Sequence, residues 1–450
     1  MKIYRLLFLL ALGTTPLRPS SLYLQPKYCG AYIAPSGSVI LTSNASLTQQ
    51  LVSQVPTPRG SSWSINTAIG SNGFINPTIQ AARIVTPLSG PLVIGSNGNF
   101  AVGGTSNFTG VNQGFVARYL SSGIADTSFG TAGVYSFQAN AHSTVVQCYY
   151  SDGSGGYYVG GYDGISSQGI ITHVTSTGTL DGTFGTAGYV QPVGSIGVAG
   201  VGTQSGTGKI VYVANSGVAI NQNGFTVNRI SSTGGADGFT SYVGTTMVPK
   251  VLAIDSQNRI VVVGNNAGET TLYVYRLVSN GGLDPSFAAS GVYMAAVRNP
   301  RVGGLAVLSD NSILVGYVGN AGNDMYVLKL TSAGVLDATF GTNGVATIPA
   351  QQGTFQALNS VVALSQGSIV VTAKDGNFYC VAVLNADGSF DSLFSIPGQV
   401  TQSGVAEFQI PNGTTGGAYG AGYISGTNNL VVAGTSTTGT FGAVFYDVGS

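Results

Sequence analysis

Leu252-Ala253-Ile254-Asp255-Ser256-Gln257-Asn258-Arg259-Ile260-Val261-Val262-Val263-Gly264 is the stretch on which the fold turns. An apolar run enters a polar turn and leaves as a β-branched run that stops on glycine, which is a hairpin signature. The same shape recurs at 31–41, 92–103, 145–160, 198–214, 305–316, 361–373 and 423–434, making eight hairpins with the one quoted. Runs such as Ile260–Val263 are apolar without alternation, as strands covered on both faces must be.

A third strand and a distinctive turn follow most hairpins. Tyr275-Arg276-Leu277-Val278-Ser279-Asn280-Gly281-Gly282-Leu283-Asp284-Pro285-Ser286-Phe287 shows both. Related turns end at Phe129, Phe184 and Phe340, weaker ones at Phe239 and Phe394, and a degenerate one spans Asn66–Gly70. The aspartate accepts bonds from amides one or two residues on and starts a tight turn, and the phenylalanine anchors it. A short fourth strand comes next, as in Gly344-Val345-Ala346-Thr347-Ile348. Four short strands in a unit of about fifty residues, repeated, describe a propeller blade. The expected fold is therefore an all-β propeller. Eight blades are preferred, with Leu22–Pro26 completing the last one. In the alternative, residues up to about 60 are an appendage and Gly73–Asn76 closes a ring of seven. One propeller domain is expected over residues 22–450.

The core Gly-x-Leu-Asp-x-x-Phe-Gly-x-x-Gly, clearest at Gly178–Gly188 and Gly334–Gly344, resembles the bacterial delta-sixty repeat. That resemblance implies a secreted or surface repeat protein, and it carries over no active site.

Composition narrows the function. Charged residues are 7% of the chain, against about 25% in an average domain, while 43% is hydrophobic and the net charge is zero. A large core is possible, and no basic stripe is available for nucleic acid. Lys2, Arg5 and the apolar run Leu6–Leu12 read as a secretory signal over residues 1–21. The run is too short to span a bilayer, so no transmembrane helix is expected. Cys29, Cys148 and Cys380 do not make a disulfide framework, and with only His142 and His173 a metal site is not expected.

A basic residue recurs eleven places before the anchor (Arg118, His173, Arg276, Lys329), with Arg229 ten before Phe239, and an aspartate recurs close to it. These cations form either a ring for an acidic ligand or internal pairs bracing each third strand against its turn; the balanced charge of each copy favours the pairs. His142, between a fourth strand and the next hairpin, is the better of two histidine bases. Glu269 and Glu407 are the only glutamates, and Asp152, Asp255 and Asp310 lie in hairpin turns. No catalytic, cofactor or metal residues are assigned. The expectation is a monomeric, secreted or surface-exposed, non-enzymatic propeller that binds a protein or glycan or serves a structural role. The alternatives are a hydrolase-type enzyme at the channel mouth, and an outer-membrane barrel of longer alternating strands.

Overall fold

The computed structural model describes residues 31–33, 39–41 and, with short gaps, 64–448. The chain divides into two compact units, Met1–Gly60 and Ser61–Ser450. In the first, the described residues form one hairpin, Ala31–Ile33 paired with Val39–Leu41.

The second unit is a ring of seven sheets. Blades 2 to 6 are four-stranded antiparallel meanders, each taken in chain order. Blade 4 is representative, with Val248–Ile254, Ile260–Asn265, Thr271–Leu277 and Val292–Ala296 pairing in succession. In blade 1 the first strand is split into Arg83–Ile84 and Val93–Ile94, both paired with Phe100–Asn107. The first strands of successive blades pack on one another around the axis, whereas a fourth strand such as Val292–Ala296 exposes alternate residues.

The eight-bladed expectation is thus corrected to seven. Blade 7 takes three strands from the C-terminus: Gly416–Ile424, Asn429–Ser436 and Phe441–Asp447. The edge of Phe441–Asp447 is occupied by Ser64–Ile65, paired with Asp447 and Tyr446, and by Phe74–Ile75, paired with Val444 and Ala443. Between those two segments lies the degenerate turn, where the Asn66 side chain accepts from the Ala68 amide and the Ile69 amide donates to the Asn66 carbonyl. The ring therefore closes inside a blade, between the third strand and its turn. Leu22–Pro26, the expected closing strand, lies outside the described residues, and the edge it was assigned is already filled. The hairpin at 31–41 forms as read, but as a sheet of its own. A hairpin signal identifies two strands and does not say which sheet receives them.

The small residue ending each second strand has a steric cause. A Cβ on Gly264 would stand 2.1 Å from the Val248 carbonyl oxygen, and one on Gly161 would stand 1.9 Å from that of Val145. Both face a β-bulge in the first strand of their blade, at Pro249/Val251 and Val146/Cys148. Bulges bend a strand and re-aim a side chain. Here they push the inner strand toward its partner, and glycine makes the approach possible.

Each interface between blades is a hydrophobic cluster. Blade 4 meets blade 5 through Val261, Val263, Phe287, Val315 and Leu328. Blade 7 meets blade 1 through Val431, Ala433, Phe100 and Phe115, so the ring has no gap at its seam. Cys148 and Cys380 are buried free thiols within these clusters, and burial pushes Cys148 up to about 12. Cys29 and the signal segment lie outside the described residues. Among the described residues no helix is long and apolar enough to cross a membrane.

Candidate functional site

The meander topology gives the ring two distinct faces. One carries the hairpin turns and the Asp–Phe turns. The other carries the starts of first strands and the ends of second strands.

The repeated charges belong to the first face, and they are paired. Arg118 Nε donates to Asp126 at 2.8 Å, Arg229 Nε to Asp237 at 2.7 Å and Arg276 Nε to Asp284 at 2.8 Å. Lys329 Nζ stands 3.0 Å from Asp337, and His173 Nδ1 stands 2.9 Å from Asp181. Each aspartate also caps its turn, as where Asp284 accepts from the Ser286 amide and hydroxyl. Burial alone would raise the Asp126 and Asp284 carboxyls, but these bonds and the guanidinium outweigh it and hold both below the usual carboxylate value. The cation then lies on the anchor ring: Arg276 Cζ is 4.4 Å from the Phe287 centroid and Arg118 Cζ is 4.5 Å from that of Phe129. Such contacts are worth about 0.5–2 kcal/mol. Of the two readings of the cation series, the internal brace is the one the geometry supports.

The brace also reaches the neighbouring blade, which sequence reasoning missed. Arg118 Nη1 donates to the Ser176 carbonyl, and Arg276 Nη1 to that of Ser332. The residue after the anchor donates its amide to the next turn: Gly130 to Thr177, Gly185 to Thr233 and Ala288 to Ala333, each at 2.8 Å. The turn glycine of the receiving blade is pressed against that corner. Gly178 holds φ +73°, and a Cβ there would stand 2.3 Å from the Gly130 nitrogen. The motif is thus a latch between blades. Its signal in sequence was the pairing of an Asp–Phe–Gly corner with a glycine about fifty residues later.

Blade 2 carries the one histidine in the series. His173 lies between two carboxylates, with Nε2 3.0 Å from Asp152 and Nδ1 2.9 Å from Asp181. Burial opposes protonation, but the two carboxylates outweigh it and raise His173 above its ordinary 6.5. The stability this cation contributes is present in full below pH 6.5 and is lost as the pH rises through the raised value. Asp152 and Asp181 are lowered, so their contribution is present above the ordinary 3.8 and lost as the pH falls through their own values. Thermal unfolding of the wild-type chain between pH 6 and pH 9 is expected to show a decline that His173→Arg abolishes. An identical slope in both proteins would refute the assignment.

The other face holds the remaining candidates. His142 ends a 3₁₀ turn at Ala139–Ala141, and its Nδ1 is 2.6 Å from Asp163 Oδ2. Asp163 is fixed in turn by the Ile165 and Ser166 amides. Burial would raise the Asp163 carboxyl, but His142 and those amides hold it low. This is a base with an orienting carboxylate, its side chain 45% exposed. The neighbouring Thr144 hydroxyl is turned to the His142 carbonyl instead of its ring.

On the same face a cavity of about 110 Å³ opens between the first strands of blades 2, 3 and 4, lined by Gln147, Ile196, Ala199, Asn215, Val248 and Lys250. Burial holds the Lys250 ammonium below the ordinary lysine value, against the pull of Glu269. Asp375 and Glu407 do not join this group, since both are buried in blade 6 near Cys380. Among the described residues no set of three metal-ligating side chains converges.

The family described as "Domain of unknown function (DUF5122) beta-propeller" matches residues 257–287, which contain the second strand, third strand and Asp284–Phe287 turn of blade 4. No curated protein matches the chain. Solved structures that resemble it include the WD40 domain of Toxoplasma gondii coronin, at 9% identity over 86% of this chain and 89% of that one, TM-score 0.47. The Dos1 propeller resembles it at 10% identity over 82% and 96%, TM-score 0.47. The Myceliophteria thermophila Cps50 (Swd1) β-propeller domain does so at 8% identity over 82% and 99%, TM-score 0.45. The count of seven blades rests on the strand pairing of this chain.

Proposed function

We propose that this chain is an exported, non-catalytic β-propeller of the delta-sixty repeat type that binds an extracellular protein or glycan, or holds a structural place at the cell surface. The carrying observation is the division of labour between the faces. The repeated charged residues latch blades together, while the opposite face carries the His142–Asp163 pair and a cavity lined by Gln147, Asn215 and Lys250. Convergent polar groups at such a mouth are where a propeller takes a ligand. The matched segment in blade 4 includes the Asp284–Phe287 turn, and that supports the β-propeller reading.

The His142–Asp163 pair favours a second reading, a hydrolase on this face, because a base held by a carboxylate is two parts of a nucleophilic triad. One experiment separates the two. The purified mature chain is applied to a glycan array and to a panel of chromogenic esters and glycosides. Saturable binding without turnover is the expected result. Turnover that His142→Ala abolishes would establish the enzyme and sink the binding reading.

A further inference from the structure

Fourth strands are the outer edges of the blades, and an edge strand presents unpaired backbone groups on which another chain can pair. In blade 4 two bonds fix which groups those are. The Arg276 amide donates to the Gly291 carbonyl, and the Val297 amide to the Thr270 carbonyl. Val292–Ala296 pairs antiparallel with Thr271–Tyr275. Alternation along such a pair then turns the N–H and C=O of Val292, Met294 and Ala296 away from the blade. Val292 uses both groups on Ala289, donating to its carbonyl and accepting from its amide. Met294 and Ala296 are left facing solvent, with Met294 58% exposed. Among the described residues no further strand pairs with this edge.

The other fourth strands are guarded. In blade 5 the Lys329 amide bonds the Gly344 carbonyl, so the place of Ala296 falls to Pro349, and proline has no N–H to offer. Val405–Phe408 of blade 6 is buried throughout. Blade 2 has only Tyr189–Val190, with Pro192 two residues on, and blade 3 only Tyr242–Gly244. Val134–Phe137 of blade 1 is buried at both ends. Among the described residues, blade 4 alone combines a five-residue edge with no proline, no charge and an exposed methionine. The first charge that follows it along the chain is Arg298, which is exposed.

We infer that this edge binds an extended segment of a partner protein, which adds a fifth strand to blade 4 antiparallel to Val292–Ala296. The segment carries apolar or β-branched side chains at alternate positions and an acidic residue at its N-terminal end. Backbone bonds to Met294 and Ala296 supply affinity, and the alternate side chains supply specificity. The antiparallel direction continues the meander and brings the segment's N-terminal end to Arg298, where opposite charges fix the register. A second copy of this chain is a poorer fit. Two-fold pairing about Met294 would set Ala296 against Val292 of the other copy, whose N–H and C=O already bond Ala289. It would also bring Ser290 to Arg298, which is no acid. The inference rests on the binding reading above, narrowed to a protein strand, and the two fail separately. Glycan binding without strand binding would sink only the strand, and ester turnover alongside strand binding would sink only the non-catalytic reading.

Fluorescence anisotropy of a dye-labelled peptide, Thr-Glu-Thr-Val-Thr-Val-Thr, tests it against the mature chain. Saturable one-to-one binding is expected. The same peptide N-methylated at both valines keeps every side chain but loses the donors to Met294 and Ala296, and it should give no saturable signal. Replacing the peptide's glutamate with lysine should weaken binding roughly tenfold, and Arg298→Glu should reverse that preference. Ala296→Pro copies the arrangement of blade 5 and removes only an outward N–H, so binding should be lost while the blade stays paired. Urea unfolding verifies that each variant is folded. Should Ala296→Pro fail to fold, the N-methylated peptide and Arg298→Glu decide the matter. No saturable signal with wild type, equal binding of the N-methylated peptide, or a preference unmoved by Arg298→Glu would each overturn the inference. A dimer in sedimentation velocity that Ala296→Pro dissociates would place a second copy on the edge and overturn it too.

Discussion

Arg276→Met is expected to cost about 3 kcal/mol of stability, the low end of the penalty for breaking a buried pair, because Arg259 Nη1, 3.8 Å from Asp284, remains as a second cation. Arg276 is 1% exposed and Asp284 is 4% exposed, so water does not replace the lost guanidinium. The substitution removes the bond to Asp284, the bond to the Ser286 hydroxyl and the bond to the Ser332 carbonyl of the next blade. It also lifts the cation from the Phe287 ring. Adding Asp284→Asn should return part of the loss, because the amide oxygen still caps the turn while the buried negative charge is gone. Lys329→Met in blade 5 is the control. Its pair is more exposed, 17% and 18% for the two side chains, and such a pair is worth about 1 kcal/mol or less. Urea midpoints with their slopes measure all three. A cost for Arg276→Met no larger than that of Lys329→Met would show that the brace is decoration.

Removing the closing segment should have the other large effect. A chain beginning at Ser61 retains Ser64–Ile65, the Asn66 turn and Phe74–Ile75, and is the reference for the comparison. A chain beginning at Asn76 loses all three and strips the edge of Phe441–Asp447. Ile65 and Phe74 pack on the blade 6–7 cluster, which holds Val444 and Tyr446, and Ile75 packs on the blade 7–1 cluster. Losing the burial of three such side chains costs about 4–9 kcal/mol at roughly 1.5–3 kcal/mol each. The freed strand edge is moreover a template for association. Size-exclusion chromatography and thermal unfolding read both effects, and a synthetic peptide of residues 61–76 should restore the monomer. A shorter chain as stable and monomeric as the longer one would remove the closure from the fold.

The latch also explains how a chain with so few charges places them. Arg118, Arg229 and Arg276 each do three things at once: neutralise a turn aspartate, cover an anchor ring and bond a carbonyl of the next blade. Phe129, Phe184, Phe287 and Phe340 beneath the series are fully buried. Blade 6 has the aspartate and the anchor, Asp391 and Phe394, with Val383 at the position of the cation. Blade 6 still receives the latch of blade 5, whose Gly341 amide donates to the Asp387 carbonyl at 2.7 Å.

Local order was legible from residue types alone. Strand pairs, the Asp–Phe turns and the small residue ending each second strand follow from short-range preferences that every copy repeats. The basic residue eight places upstream of each aspartate was readable as a brace because the two balance within one copy. The number of blades was not readable, because it depends on whether Ile65 pairs with Tyr446, a contact between opposite ends of the chain for which neighbours in sequence carry no signal. The cavity was hidden for the same reason. Gln147, Ala199 and Lys250 sit about fifty residues apart, in three different repeats, and nothing in any one repeat marks them. They meet because bulged first strands from consecutive blades converge on the axis, and only closure of the ring sets the distance between them.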